Sequence, residues 1–200
     1  MKKIFFFGIT LLLSFLIIFT YIFTQNDQAR QIAYKTIIGK HHIPKNYVPV
    51  YKEAALKYDI PWELLASVHR VETIFSTMDP LVSPAGAVGH FQFMPRTWVG
   101  WSYPGGSLGE IDEQTDITDV SLIAEHNGYG TDAKGKGKAD PFDLYDATFA
   151  AARYLADHGA AAGEIERALF AYNQSDAYVE EVMGYYNAYL DHYELIKFPF

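Results

Sequence analysis

The chain has 200 residues, of which 50% are hydrophobic, 16% are aromatic and 20% are charged. This length suits one domain with a short additional segment, and the composition excludes a disordered, collagen-like or low-complexity protein. The absence of cysteine excludes a disulfide scaffold, a thiol nucleophile and any metal site built on thiolates. The net charge of −8 argues against nucleic acid as the main partner, since such binding needs a basic surface.

The N-terminal segment predicts a membrane anchor over residues 1–25. Residues 4–23 carry no charge, and a helix of about twenty residues spans about 30 Å, the thickness of the hydrocarbon layer. The run ends in bulky residues without the small side chains of a cleavage site, which favours an uncleaved transmembrane helix over a signal peptide. Lys2 and Lys3 favour an inside N-terminus, but the basic residues after the run weaken that indication.

Residues 26–45 are polar and basic without a clear period, so we predict a stalk there, followed by one mainly α-helical domain over residues 46–200. Apolar periodicity and capping residues predict helices over residues 62–73, after Pro95, and over residues 143–158, 164–172 and 176–195. Residues 75–109 and 128–141 are rich in loop-forming residues. Long loops in a compact domain usually bind a ligand.

Glu72 occupies a helix position that should be buried. Leu65, Val68 and Glu72 are spaced i, i+3 and i+7, which places the carboxyl group on the apolar face. Burial without a cationic partner raises the pKa of a carboxyl group, and a carboxylic acid that stays protonated near neutral pH can act as a general acid. Helix geometry alone leaves two alternatives open, a glutamate that swings into solvent and one that pairs with Arg70.

Three motifs follow one another along the chain. Glu72 lies near a helix end, residues 83–95 have the pattern S-x-x-G-A-x-G-x-x-Q-x-M-P, and residues 171–173 read A-Y-N. This constellation, over residues 47–193, resembles the lytic transglycosylases of bacterial cell walls, in particular the membrane-bound murein transglycosylases. The resemblance implies a mainly α, lysozyme-like globular domain with long loops, here preceded by one N-terminal transmembrane helix.

The resemblance also implies a reaction and a set of site residues. Glu72 would be the single catalytic acid and base. The substrate-binding residues would be Ser83, Gln92, Tyr172, Asn173 and Tyr178. The enzyme would cleave the β-1,4 bond between N-acetylmuramic acid and N-acetylglucosamine in peptidoglycan and would leave a 1,6-anhydro end, without a cofactor. Neutral amides and hydroxyl groups can orient a sugar without lowering the pKa of the acid.

Two other functions remain open. A muramidase would use water as the nucleophile and would normally need a second carboxylate, for which Asp79 is a candidate near in sequence although no motif assigns it. A non-catalytic peptidoglycan-binding module would keep the groove without turnover. The chain also departs from the family pattern at Thr73, where relatives often have serine after the catalytic glutamate.

No metal site is predicted. Some relatives carry a calcium loop at residues 132–143, but Lys134 and Lys136 stand here at the third and fifth positions, where an ammonium group repels a cation. We hypothesise that these lysines neutralise the remaining aspartates of the loop. His69 and Glu72 are spaced i, i+3 and could share a metal, but no second pair supports this, so His69 is predicted to be a surface histidine.

The expected partners are the glycan strands of peptidoglycan and, through the N-terminal helix, the membrane. Proteins of the cell-wall machinery are further candidates. The expected location is the bacterial cell membrane, crossed once, with the catalytic domain on the outer, wall-facing side.

Overall fold

The structure is a computed structural model that describes residue 21 and residues 26–197, which divide into a unit ending at Gly39 and a unit beginning at Lys40. The predicted membrane helix over residues 4–23 therefore lies outside the described residues, apart from Tyr21. Among the described residues, every helix is too short or too polar to cross a bilayer.

The first unit contains one described helix, α1 (Asp27–Ile37). Asn26 caps it, because its side-chain oxygen accepts a hydrogen bond of 3.0 Å from the backbone N–H of Ala29. This segment was predicted to be a stalk without a clear period. The helix forms nonetheless because the cap precedes residues of good helix propensity, mainly alanine, glutamine, arginine and lysine.

The second unit is mainly helical, which confirms the predicted class. Its elements in chain order are β1 (His42–Pro44), α2 (Val48–Tyr58), α3 (Trp62–Thr73), α4 (Pro95–Val99), α5 (Val120–Glu125), α6 (Leu144–Asp157), a 3-10 turn (Ala160–Ala162), α7 (Ile165–Tyr172), α8 (Asp176–Asp191) and β2 (Glu194–Ile196). The predicted helix over residues 176–195 ends early, at Asp191, because the residues after it join a sheet.

Helix α3 is the innermost element, and α2, α6 and α8 pack around it. Leu64, Leu65, Ala66 and Val68 are fully buried, and each buried leucine or valine contributes roughly 1.5–3 kcal/mol. Helix α3 is buried on every side over residues 64–70, whereas its C-terminal end is less completely buried. That end carries Glu72.

Strands β1 and β2 form a parallel pair that joins the beginning and the end of the second unit. His42 pairs with Glu194, Ile43 with Leu195 and Pro44 with Ile196. Ile43 is fully buried, so the pair also contributes to the core.

The loop of residues 83–95 is folded tightly on itself and against a second loop. Val88 forms bridges with Val82 and Phe93. Gly89 has a φ of 79°, and a Cβ placed there would lie 2.0 Å from the carbonyl oxygen of Pro141. Only glycine therefore allows this loop to touch the segment that precedes α6.

Replacing Gly89 by alanine tests this contact. The change should lower the free energy of unfolding by about 2–5 kcal/mol, because it combines an unfavourable positive φ with a clash against backbone. Gly86→Ala is a matched control, since Gly86 has a φ of 86° but nothing within 4 Å of an added Cβ, and it should cost only about 1–2 kcal/mol. Urea unfolding of both variants measures the difference; equal losses would contradict the close approach.

Candidate active site

The chain turns sharply at the end of α3, directly after Glu72. Ile74, Phe75 and Ser76 have φ values of 48°, 57° and 67°, a left-handed conformation that costs each of these residues about 1–2 kcal/mol. The turn persists because Phe75 is fully buried and because the backbone N–H of Ser76 donates to Thr73 Oγ1 at 3.0 Å. Backbone strain of this kind concentrates at functional sites.

The carboxyl group of Glu72 lies between α3 and α8, partly buried at the inner end of a cleft. The hydroxyl group of Tyr178 donates a hydrogen bond of 2.7 Å to Glu72 Oε1. Burial raises the pKa of Glu72 to about 7, although the Tyr178 hydrogen bond acts in the opposite direction by favouring the charged form. Glu72 Oε2 has no hydrogen-bond partner among the described residues.

Arg70, the alternative partner of Glu72, lies elsewhere. Its guanidinium carbon is 4.3 Å from the ring centroid of Tyr185, and its Nη1 is 3.4 Å from the hydroxyl group of Tyr189. Arg70 is itself buried. The carboxyl group of Glu72 therefore has a phenol, rather than a guanidinium group, as its partner.

Two parallel tyrosine rings stand beside Glu72. The rings of Tyr172 and Tyr178 are 6.5 Å apart with an angle of 3° between their planes. The Tyr172 hydroxyl group donates to the carbonyl oxygen of Phe91 at 2.8 Å. Burial raises the pKa of both phenols well above the usual value, and the charge of Glu72 raises it further. Both tyrosines are therefore neutral hydrogen-bond donors.

The cleft in front of Glu72 has a volume of about 810 Å³. Five of the six predicted site residues line it, namely Glu72, Ser83, Gln92, Tyr172 and Asn173. Tyr178 lies behind Glu72 and contacts the carboxyl group without lining the cleft. Their roles in catalysis and binding stay predictions, but the structure does bring these residues together.

The lining of the cleft is nearly uncharged. Within the described part of the chain, Glu72 is the only carboxylate that lines it, and no lysine or arginine does. Asp79, the candidate for a second carboxylate, is exposed and does not line the cleft. This lack of a nearby cation is why burial can raise the pKa of Glu72.

Ser83 and Gln92 already take part in the structure of their own loop. Ser83 Oγ accepts a hydrogen bond of 3.0 Å from the backbone N–H of Ala87, and Gln92 Nε2 donates to the carbonyl oxygen of Gly89 at 2.8 Å. Ser83 makes no hydrogen bond to Glu72. Asn173 ends α7 in an extended conformation and is exposed at the edge of the cleft.

A chain of hydrogen bonds runs behind the last turn of α3. Tyr51 Oη lies 2.6 Å from His69 Nδ1, and His69 Nε2 lies 2.7 Å from Ser76 Oγ. Ser76 Oγ lies 2.6 Å from His90 Nδ1, and His90 Nε2 lies 2.9 Å from the carbonyl oxygen of Phe142. His69 is fully buried, so the prediction of a surface histidine is wrong: α2 and the turn after α3 cover that face.

The carbonyl group at the end fixes the direction of every hydrogen bond in this chain. A carbonyl oxygen only accepts, so His90 Nε2 carries a hydrogen and His90 Nδ1 of the neutral ring accepts from Ser76. Ser76 then accepts from His69 Nε2, and His69 Nδ1 accepts from Tyr51. Burial lowers the pKa of His90 and lowers that of His69 well below its usual value, which favours the two neutral rings.

The acidic loop before α6 contains an internal ion pair. Lys136 Nζ donates to Asp143 Oδ2, and Asp132 accepts hydrogen bonds from the backbone N–H groups of Lys136 and Gly137. Lys136 thus neutralises an aspartate, as hypothesised. Lys134 does not, because its Nζ lies 3.3 Å from the ring centroid of Tyr145. That the protein binds no metal stays a prediction.

Several residues of the cleft could not be predicted from the sequence. Trp101, Leu108, Met78 and Tyr154 all line it. Tyr154 lies on α6, and the others lie in irregular segments without a periodic pattern. The only local signal for Trp101 is its residue type, because a tryptophan is unusual in a segment rich in glycine and proline.

A mainly helical domain whose cleft holds one buried carboxylic acid among tyrosines, amides and hydroxyl groups is the arrangement of a lysozyme-like, glycan-cleaving domain. The family model described as "Transglycosylase SLT domain" matches residues 49–194. The chain therefore belongs to the transglycosylase SLT family, and the resemblance to lytic transglycosylases of the lysozyme-like superfamily is confirmed. Membership indicates lytic transglycosylase activity on peptidoglycan. Searches of curated proteins and of solved structures each found no match.

The raised pKa of Glu72 makes stability depend on pH. Between pH 4.5 and about 7 the unfolded chain releases the Glu72 proton while the folded chain keeps it, so the free energy of unfolding should fall as pH rises. The loss is at most about 3 kcal/mol. Glu72→Gln removes this dependence, so the variant should be more stable than the unsubstituted chain at pH 8 and closer to it at pH 4.5.

Urea unfolding at the two pH values measures this effect. Glu166→Gln, on the exposed surface of α7, is the control and should leave the stability difference between pH 4.5 and pH 8 unchanged. A Glu72→Gln variant with the same pH dependence as the unsubstituted chain would show that Glu72 is charged in the folded state at neutral pH.

Proposed function

We propose that the chain cleaves the β-1,4 bond between N-acetylmuramic acid and N-acetylglucosamine in peptidoglycan, with Glu72 as the only acid and base. The observation that carries this proposal is the isolation of Glu72. Its pKa is about 7, and among residues 26–197 no second carboxylate lines the cleft. An acid with a pKa near the working pH can both give and take a proton.

The first proton transfer uses the oxygen that faces away from Tyr178. Because the Tyr178 hydroxyl group donates to Glu72 Oε1, the proton of the neutral carboxyl group resides on Oε2. Oε2 gives this proton to the bridging oxygen as the bond from that oxygen to C1 of the muramoyl residue breaks. The Tyr178 hydrogen bond then stabilises the carboxylate that remains.

The second proton transfer restores the acid. The Glu72 carboxylate takes the proton of the C6 hydroxyl group of the same muramoyl residue, whose oxygen attacks C1 and closes the 1,6-anhydro ring. One C–O bond breaks, one forms, and no water is consumed. The nucleophile belongs to the bound sugar, so the reaction needs no second carboxylate to activate water, and its effective concentration is high.

The proposed location rests on the proposed substrate and on the N-terminal sequence. We propose that residues 1–25 anchor the chain in the bacterial cell membrane with the domain on the wall-facing side, where peptidoglycan is found. The uncharged run over residues 4–23 supports this proposal. Contacts with proteins of the cell-wall machinery would follow from such a location.

The products identify the reaction. Purified peptidoglycan digested with the full chain should yield fragments that end in 1,6-anhydromuramic acid, detected by mass spectrometry, and Glu72→Gln should yield none. Reducing muramic ends, heavier by one water, would instead establish a muramidase. Binding without release of fragments, from a demonstrably folded sample, would establish a binding module.

The pH dependence of cleavage tests the partner of Glu72. The value of kcat/KM should fall as pH rises through about 7, because the acid loses the proton it must donate. The Tyr178 hydrogen bond lowers the pKa of Glu72, so Tyr178→Phe should raise that pKa and move the falling limb to higher pH. Tyr185→Phe, on the same helix but beside Arg70, is the control. If kcat/KM of Tyr178→Phe falls over the same pH range as that of the unsubstituted chain, the hydrogen bond from Tyr178 to Glu72 is contradicted.

A further inference from the structure

Trp101 stands at the rim of the cleft in a segment that is irregular but firmly held. The guanidinium group of Arg96 donates hydrogen bonds of 2.9 Å to the carbonyl oxygen of Tyr103, 3.1 Å to that of Gly106 and 2.8 Å to that of Trp101. The side chain of Arg96 thus links three backbone carbonyl groups of the segment over residues 101–106. The segment is ordered before any ligand arrives, which reduces the entropy that binding would cost.

The indole ring itself is also fixed. Trp101 Nε1 donates to Thr97 Oγ1 at 3.2 Å, and the guanidinium carbon of Arg96 lies 4.9 Å from the ring centroid. These contacts fix the orientation of the ring. The side chain is nevertheless 52% exposed and lines the cleft. Leu108, which is 76% exposed, lines the same cleft.

The chemistry of the cleft limits what this ring can bind. In the described residues no lysine or arginine lines the cleft, and the guanidinium group of Arg96 beside the indole ring is already engaged by backbone carbonyl oxygens. Amides, hydroxyl groups and aromatic rings dominate the lining instead, which suits a ring that has both hydroxyl groups and an apolar face. A β-linked hexopyranose has these properties, because its axial C–H bonds form an apolar face that packs on an aromatic ring.

The size of the cleft favours several sugars over one. Its volume of about 810 Å³ lies near the upper end of ordinary small-molecule sites. Glu72 acts on one glycosidic bond at the buried end, whereas Trp101 belongs to the exposed rim. A ring stacked on Trp101 would therefore be a different sugar from those joined by the bond that breaks.

We propose that Trp101 is a stacking platform for one hexopyranose ring of a peptidoglycan glycan strand, and that it selects longer strands. This inference rests on the proposed function, because it assigns a further subsite of the same cleft. Binding energy gained at the rim holds the strand while Glu72 acts on the bond at the buried end. Arg96 and Thr97 are positioning residues for the indole ring.

The binding test uses the full chain with Glu72→Gln, so that no cleavage occurs, and a peptide-free hexasaccharide of alternating N-acetylglucosamine and N-acetylmuramic acid. Calorimetry should show that adding Trp101→Ala weakens binding about tenfold, which corresponds to about 1.4 kcal/mol. Trp101→Phe should restore most of the affinity, since it keeps a flat ring. Phe170→Ala removes an aromatic side chain that is 45% exposed outside the cleft, and it should leave the affinity unchanged.

Kinetic measurements distinguish sugar binding by Trp101 from a purely structural role of this residue. In the chain with Glu72 intact, Trp101→Ala should raise the KM for soluble strands while kcat and its pH profile stay unchanged. Equal affinity of the Trp101→Ala and parent chains for the hexasaccharide would overturn the platform but leave the proposed function intact. Failure of the Glu72→Gln chain to bind the hexasaccharide at all would overturn the proposed function and the platform with it.

Tryptophan fluorescence provides a test that does not depend on the folding of Trp101→Ala. Hexasaccharide binding should change the tryptophan fluorescence of the Glu72→Gln chain, because a sugar ring would displace water from the exposed indole. Trp101→Phe should abolish most of that change, since of the other two tryptophans Trp98 is fully buried and Trp62 does not line the cleft. A fluorescence change that persists in Trp101→Phe would place the sugar away from this ring.

Discussion

The hydrogen bond from Tyr178 to Glu72 joins the innermost helix of the domain to α8, and it lies where water is largely excluded. A carboxyl group in this position is costly to ionise, which raises its pKa to about 7. The surroundings must then remain neutral, since a nearby cation would return the acid to its ordinary range. The cleft meets that condition with tyrosines, amides and hydroxyl groups.

The position of Glu72 depends on the turn that follows it. Three successive residues, Ile74, Phe75 and Ser76, adopt a left-handed conformation that none of them favours. Burial of Phe75 and the hydrogen bonds of Ser76 to His69 and His90 offset that strain. The hydrogen bond to His90 ties the turn to the loop of residues 83–95, so Glu72 and that loop share one support.

The features readable from sequence were those with a local pattern. The spacing of Leu65, Val68 and Glu72 indicated a carboxyl group on a buried face, and the helix predicted over residues 143–158 agrees closely with α6. The features missed depend on contacts between distant segments. His69 has no neighbour in sequence that predicts its hydrogen bonds to Tyr51 and Ser76, and nothing near residues 42–44 or 194–196 indicates that these segments pair. Trp101 lies in an irregular segment, and its position depends on the hydrogen bonds that Arg96 donates to backbone carbonyl oxygens.

The pairing of β1 with β2 has a practical consequence for anyone who isolates the domain. The family match begins at residue 49 and ends at residue 194, so a fragment cut at those limits would lack β1 and all but the first residue of β2. It would lose the fully buried Ile43 and the backbone hydrogen bonds from Lys45 to Ile196 and from Glu194 to His41. Such a fragment would expose residues that β1 and β2 cover. A fragment that runs from residue 40 to residue 197 keeps both strands and their pairing.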